Sequence, residues 1–121
     1  MNSSCILLLD QVGLQDIHLV GGKNASLGEM LQNLTKLGIK IPDGFVITTT
    51  AYSEFIQHNH LDEEIRNIVK KIDYASVESL RRAGLTVRNL IKNARFPAQL
   101  SQQIIHAYYV LSNQYGQEIT D

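Results

Sequence analysis

The stretch Leu19-Val20-Gly21-Gly22-Lys23-Asn24-Ala25-Ser26-Leu27-Gly28-Glu29-Met30 sets two glycines and a lysine where an amphipathic helix begins. That arrangement suits an anion. Glycine lets backbone N–H groups come close to a ligand because no Cβ stands in the way. N–H groups at a helix start lack intrahelical partners, and the helix dipole favours negative charge there. Lys23 adds a mobile point charge able to follow a phosphate. As spacing alone the pattern is unspecific. Gly-Gly-Lys is common, it is not the phosphate-loop pattern Gly-x-x-x-x-Gly-Lys-Ser/Thr, and a plain turn with an exposed lysine is the simpler account of it.

Outward from this stretch, the helical spacing of Leu27, Met30, Leu31, Leu34 and Leu37 predicts a helix from Asn24, with Gly38 placed as its C-cap glycine. Upstream, the apolar run Cys5–Leu9 reads as a buried or edge strand ended by Asp10, and Gln11–His18 as a polar connection. Downstream, Pro42-Asp43-Gly44 is a turn, and Phe45-Val46-Ile47-Thr48-Thr49 a β-rich strand. Thr49 or Thr50 is placed to cap a helix from Ala51 to about Gln57, whose Tyr52, Phe55 and Ile56 read as core. Three more amphipathic helices follow, marked by Leu61–Ile72, by Val77–Ala94 and by Leu100–Leu111 with Pro97 near the start of the last. The order is strand, helix, strand, helix, then about three helices. This is an α+β chain with a helix-rich C-terminal half, and it has no internal repeat, low-complexity tract or dividing linker.

Composition narrows the function classes. The 121 residues fit one domain, and a 44% hydrophobic, 19% charged content supports a core. A net charge of −1 without a basic run argues against a nucleic-acid surface. No stretch approaches the roughly 18 apolar residues of a membrane span. The single cysteine, Cys5, excludes an internal disulfide, fits a reducing cytoplasm and reads as a buried small hydrophobe. His58-Asn59-His60 has the wrong spacing for one helix face and reads as a loop at a helix end. His18 and His106 are isolated, and Asp62, Glu63 and Glu64 read as a solvated helix start. Arg81 and Arg82 could reach a phosphate, although a solvated face is the simpler account. No catalytic constellation and no metal-ligand set is evident.

With its surroundings, the glycine-lysine stretch resembles the start of the N-terminal nucleotide-binding domain of the phosphoenolpyruvate synthases (pyruvate, water dikinases). Ile41-Pro42-Asp43-Gly44-Phe45-Val46-Ile47-Thr48-Thr49-Thr50-Ala51-Tyr52 is similar to that family's second signature, a Pro-x-Gly-Phe strand running into a Thr-capped helix. Leu80-Arg81-Arg82-Ala83-Gly84 and Ile91-Lys92-Asn93-Ala94-Arg95-Phe96-Pro97 are similar to the helical stretch that follows. The resemblance runs from about Leu9 to Tyr115, and pyruvate, phosphate dikinase and rifampin phosphotransferase carry similar segments. It implies the N-terminal lobe of an ATP-grasp-like fold that binds ATP and Mg²⁺, with Lys23 matching a lysine that contacts ATP phosphates and Gly21 and Gly22 shaping the loop. It further implies phosphoryl transfer through a histidine on a separate domain, and conversion of pyruvate, ATP and water to phosphoenolpyruvate, AMP and phosphate. Thr48–Thr50 are expected to serve the strand-to-helix geometry.

In that family a Val-Arg-Ser-Ser segment, with a second ATP-binding arginine, follows about where this chain stops at Asp121. The glycine-rich loop, the Mg²⁺ carboxylates, the phosphohistidine domain and the pyruvate barrel have no counterpart in these 121 residues. The expectation is a single partial domain, inactive alone, completed by a separately encoded remainder or by the rest of a longer chain. The competing expectation is an orphan binding module. Either account predicts an exposed apolar face.

Overall fold

Val12 is the residue around which the first elements assemble. The computed structural model describes residues 4–116. Strand β1 (Ile6–Leu8) leads into two short 3-10 turns, Leu9–Gln11 and Leu14–Asp16, with fully buried Val12 between them. Helix α1 (Ile17–Thr35) follows and lies over both turns. The fit depends on Gly28: a Cβ there would fall into the Val12 carbonyl and within 2.9 Å of Val12 Cγ2. Because the backbones approach so closely, α1 side chains reach the polar groups of the turns. Gln32 Nε2 donates to the carbonyls of Asp10 (3.0 Å) and Val12 (2.9 Å), and Glu29 Oε1 accepts from the Leu14 N–H at 3.0 Å. Asp16 Oδ2 accepts from the Gly13 N–H at 3.0 Å. These bonds supply partners that the irregular backbone of residues 10–14 does not find in a regular ladder.

Strand β2 (Phe45–Ile47) pairs antiparallel with β1 in the register Ile6–Ile47, Leu7–Val46 and Leu8–Phe45. Asp43 Oδ1 accepts from the Gly44 N–H at 2.7 Å, which turns the chain into β2. Val12, Val20, Ala25 and Val46 form the core here, with Leu7, Leu9 and Leu19 packed against it. Helix α2 (Thr49–His58) starts directly after the strand, and α5 (Ala98–Gln114) packs on both strands through buried Leu100 and Ala107.

Helices α3 (Asp62–Lys70) and α4 (Val77–Asn93) complete the order. The chain divides into two compact units: the described residues up to Tyr52 together with those from Ala98, and Ser53–Pro97. In the second unit Phe55, Ile56 and Leu61 are buried, and the Phe55 and Phe96 rings meet at 5.3 Å between centroids. Asn59 ties the end of α2 to the second residue beyond α4: its Nδ2 donates to the Phe55 and Arg95 carbonyls, and its Oδ1 accepts from the Arg95 N–H. Ser76 caps α4 by accepting from the Ser79 N–H at 3.1 Å.

The described structure is therefore α+β, with five helices and a two-stranded sheet, in the expected element order. Boundaries moved. The Gln11–His18 connection is largely 3-10 turn, and α1 begins at Ile17, not Asn24. Its buried positions are Val20, Ala25, Gly28 and Leu31, whereas Met30 is exposed, because the close approach to Val12 selects the small-residue face; Leu37, also exposed, lies in the turn beyond the helix. Tyr52, Val77 and Tyr108, expected on apolar faces, are also exposed. Gly38 closes α1 as expected, with its own N–H bonded to the Thr35 carbonyl and the Ile39 N–H to that of Leu34. Among the described residues no helix is long and apolar enough to cross a membrane.

Alanine at an interior helical glycine ordinarily stabilises by about 0.5–1 kcal/mol. At Gly28 overpacking against a backbone carbonyl outweighs that gain. Gly28→Ala is expected to lower the melting temperature by roughly 5–10 °C in a thermal scan, and a rise would show that α1 can lift off Val12.

Candidate functional site

Gly21 breaks α1. Its φ of 80° and ψ of 162° lie in a region open essentially to glycine alone, and they divide a first turn, 17–20, from the long segment that restarts at Gly22. The opening of a restarted segment is where a helix serves its own N–H groups least regularly. Gly22 and Lys23 stand at this opening and are both exposed. Neither Gly21 nor Gly22 has any atom within 4 Å of where a Cβ would sit, so the tip of the turn faces open space. Its flanks are anchored: Val20 before it and Ala25 after it are both in the core.

Two side chains bond to carbonyls of the turn that precedes the break. Asn24 Nδ2 donates to the Val20 carbonyl at 2.8 Å, and Thr49 Oγ1, from the start of α2, donates to the His18 carbonyl at 2.9 Å. The strand-to-helix corner that supplies Thr49 is itself fixed by buried Thr48. The Thr48 hydroxyl donates to the Ser4 carbonyl at 2.7 Å and accepts from the Ala51 N–H at 3.4 Å, and the Thr48 N–H bonds to the Cys5 carbonyl. Thr48 therefore caps α2, one residue earlier than expected, and Thr49 is released to reach α1.

The structure thus brings Gly21, Gly22 and Lys23 to one exposed turn at a helix start. A concavity of about 790 Å³ in the same unit is elsewhere, between the end of α1, the Gly38–Asp43 loop and Tyr115. Its lining is largely apolar, and the Tyr115 hydroxyl there accepts from the Asp43 N–H at 2.6 Å. The other expected positions lie as follows. Cys5 is buried. His58 ends α2, and His60 adopts a left-handed φ of 55° in the loop beyond it. Among the described residues no group of three His, Cys, Asp or Glu is placed to hold a metal. On α4, Glu78 bonds both Arg81 (2.8 Å) and Arg82 (3.1 Å), an exposed ion-paired cluster. These partners hold the Glu78 carboxyl below its ordinary range, Arg81 first, and raise the Arg81 guanidinium.

Comparison with known proteins places this turn in context. The family described as pyruvate phosphate dikinase, AMP/ATP-binding domain, matches residues 17–121. The chain belongs to this family. The match opens at Ile17, the first residue of α1, so the Gly21 break lies in the opening turns of the dikinase AMP/ATP-binding domain. The chain is 42% identical to the phosphoenolpyruvate synthase of Aquifex aeolicus over 120 residues, or 99% of its length. It is 39% identical to that of Synechocystis sp. over 97% of its length, and 37% identical to that of Escherichia coli over 92%. It spans 14% of the length of each of these relatives.

Thr49 and Asn24 escaped the reading of this dikinase domain's sequence. Asn24 stands in the sequence as the expected helix start and part of the signature, and Thr49 as a strand end, a capping candidate and part of the strand-to-helix corner. No local pattern announces a hydroxyl that reaches a carbonyl 31 residues earlier in the chain.

The two glycines of the turn should respond differently to alanine. Gly21→Ala must strain the backbone although space is free, and is expected to destabilise by roughly 1–3 kcal/mol in chemical denaturation. Gly22→Ala should leave stability within about 0.5 kcal/mol, since no left-handed φ and no neighbour opposes it. Equal costs at both positions would contradict the assignment of the break to Gly21. Acid should act through Glu78. Its carboxyl is held down in the folded chain, so its support for α4 is complete above the ordinary carboxylate range and fades as pH falls through the lowered value. In Glu78→Gln that acid-dependent loss of helicity, followed by circular dichroism, should shrink.

Proposed function

We propose that this chain forms the N-terminal, phosphate-contacting part of the ATP-binding domain of a phosphoenolpyruvate synthase, with an ATP-grasp-like fold, working in the cytoplasm. Membership of the AMP/ATP-binding family and the names of the relatives support the nucleotide and the enzyme. The single observation that carries the site is the Gly21 break, which sets an open turn and an exposed Lys23 at a helix start. The Gly22 and Lys23 amides and the Lys23 ammonium then meet the phosphates of ATP, neutralising charge during phosphoryl transfer. The residues present fit an anion. Mg²⁺ reaches this part only through the nucleotide, its carboxylate ligands lying outside these residues.

In this reading the 121 residues are a single partial domain, inactive alone. The complete enzyme converts pyruvate, ATP and water to phosphoenolpyruvate, AMP and phosphate through a phosphohistidine carried elsewhere. Pyruvate meets other domains and does not touch this one. No nucleic acid or membrane partner enters.

Calorimetric titration with ATP·Mg²⁺ tests the site. Weak binding is expected, because the lysine side is half of the clamp. Lys23→Ala should reduce it by about tenfold or more without lowering the melting temperature, the scale of a lost charge-assisted bond. Tight binding that survives Lys23→Ala overturns the role of Lys23. Exchanging the matched segment of the Aquifex aeolicus relative for this chain tests the enzyme: pyruvate-dependent AMP formation should persist in the chimera and be lost with Lys23→Ala.

A further inference from the structure

The Gly21 turn is held in an unusual way. At Gly28 glycine is required because a neighbour presses on it, but nothing lies within 4 Å of a Cβ at Gly21 or Gly22. Packing therefore does not set the geometry of the tip. Beside the break, two side chains bond the carbonyls of the preceding turn. The Thr49 hydroxyl serves His18 at 2.9 Å, and the Asn24 amide serves Val20 at 2.8 Å. These two carbonyls belong to the turn just before the break. Thr49 is anchored independently, since the corner before it is fixed by buried Thr48.

Resting on the nucleotide reading above, we infer that Thr49 and Asn24 are positioning residues for phosphate binding: they hold the His18 and Val20 carbonyls and thereby aim the Gly22 and Lys23 amides at the phosphates. Neither touches the nucleotide. Thr49 also links α2 to the site, so a displacement of the β2–α2 corner is transmitted to the turn. The chemical class served is a polyphosphate, because the groups being aimed are N–H donors and an ammonium.

The test uses the full chain, titrated with ATP·Mg²⁺ and separately with inorganic tripolyphosphate. Thr49→Val keeps the shape and removes the donor. It should weaken both ligands by a similar factor, about fivefold, the scale of one lost hydrogen bond. The amide chemical shifts of Gly22 and Lys23 should move while the melting temperature holds. Thr49→Ser, which retains the hydroxyl, should restore binding, and Asn24→Ala should repeat the Thr49→Val effect. If Thr49→Val binds both ligands as the parent does while Lys23→Ala does not, the positioning role falls and the nucleotide reading stands. A loss confined to ATP, or one that tracks a fall in melting temperature, also overturns it. If Lys23→Ala changes neither affinity, the nucleotide reading itself fails and takes this inference with it.

Discussion

The contact between the Val12 carbonyl and Gly28 sets the distance between α1 and the turns beneath it, and most of the first unit follows from that distance. With a side chain at position 28, Gln32 and Glu29 would stand too far from the backbone of residues 10–14 to bond it. Val12 would lose its place against Val20, Ala25 and Val46. That core is small, so its stability depends on close packing more than on area. The same contact fixes where α1 lies along its axis, and so where the break at Gly21 emerges. One glycine is needed for proximity and another for its torsion angles, and the second can present the turn because the first seats the helix.

The strand-to-helix corner is the second constraint. Thr48 is buried, yet its hydroxyl both donates to Ser4 and accepts from Ala51, so a polar group inside the fold is satisfied on both sides. Leaving such a group unpaired would cost about 1–3 kcal/mol. Its neighbour Thr49 is exposed and is free to reach across to His18. Two adjacent threonines thus divide the work, one closing the corner and the other joining it to the turn. In the pairing of β1 with β2, the corner is held to the strand that opens the chain.

The element order was legible because periodicity depends only on local spacing. A short apolar run and a β-rich segment mark the two strands, and period-3.6 patterns mark five helices in the right sequence. What failed did so for tertiary reasons. The face that α1 buries differs from expectation at Met30, which is exposed, and the helix ends before Leu37. The close approach at Gly28 selects the small-residue face instead. The 3-10 turns around Val12 were read as plain connection because they draw their hydrogen bonds from α1, far along the chain. The role of Asn59 was hidden between two histidines that drew attention to metal chemistry, whereas its amide closes a loop with Arg95. Of the candidate site, the helix opening around Gly21, Gly22 and Lys23 was legible as a local pattern, and its role in binding belongs to the proposal. The bonds of Thr49 and Asn24 were not legible, since their partners are carbonyls, and a carbonyl carries no sequence signature.

The exposure of Gly22 and Lys23 decides what such a turn can do unaided. Two unit charges 4 Å apart attract by about 1 kcal/mol in bulk water and by about 4 kcal/mol at the effective dielectric of a protein surface. An open turn keeps Lys23 near the first limit, and in the proposed reading it meets a phosphate there without retaining it. To approach the second limit, water has to leave, and among the described residues nothing lies over the tip to displace it. Closure by a facing surface would raise the value of the same amides and the same lysine severalfold without moving them. For that reason a preset geometry matters more here than a strong charge. Donors already aimed lose little freedom on closure, whereas a slack turn would spend the gain on ordering itself.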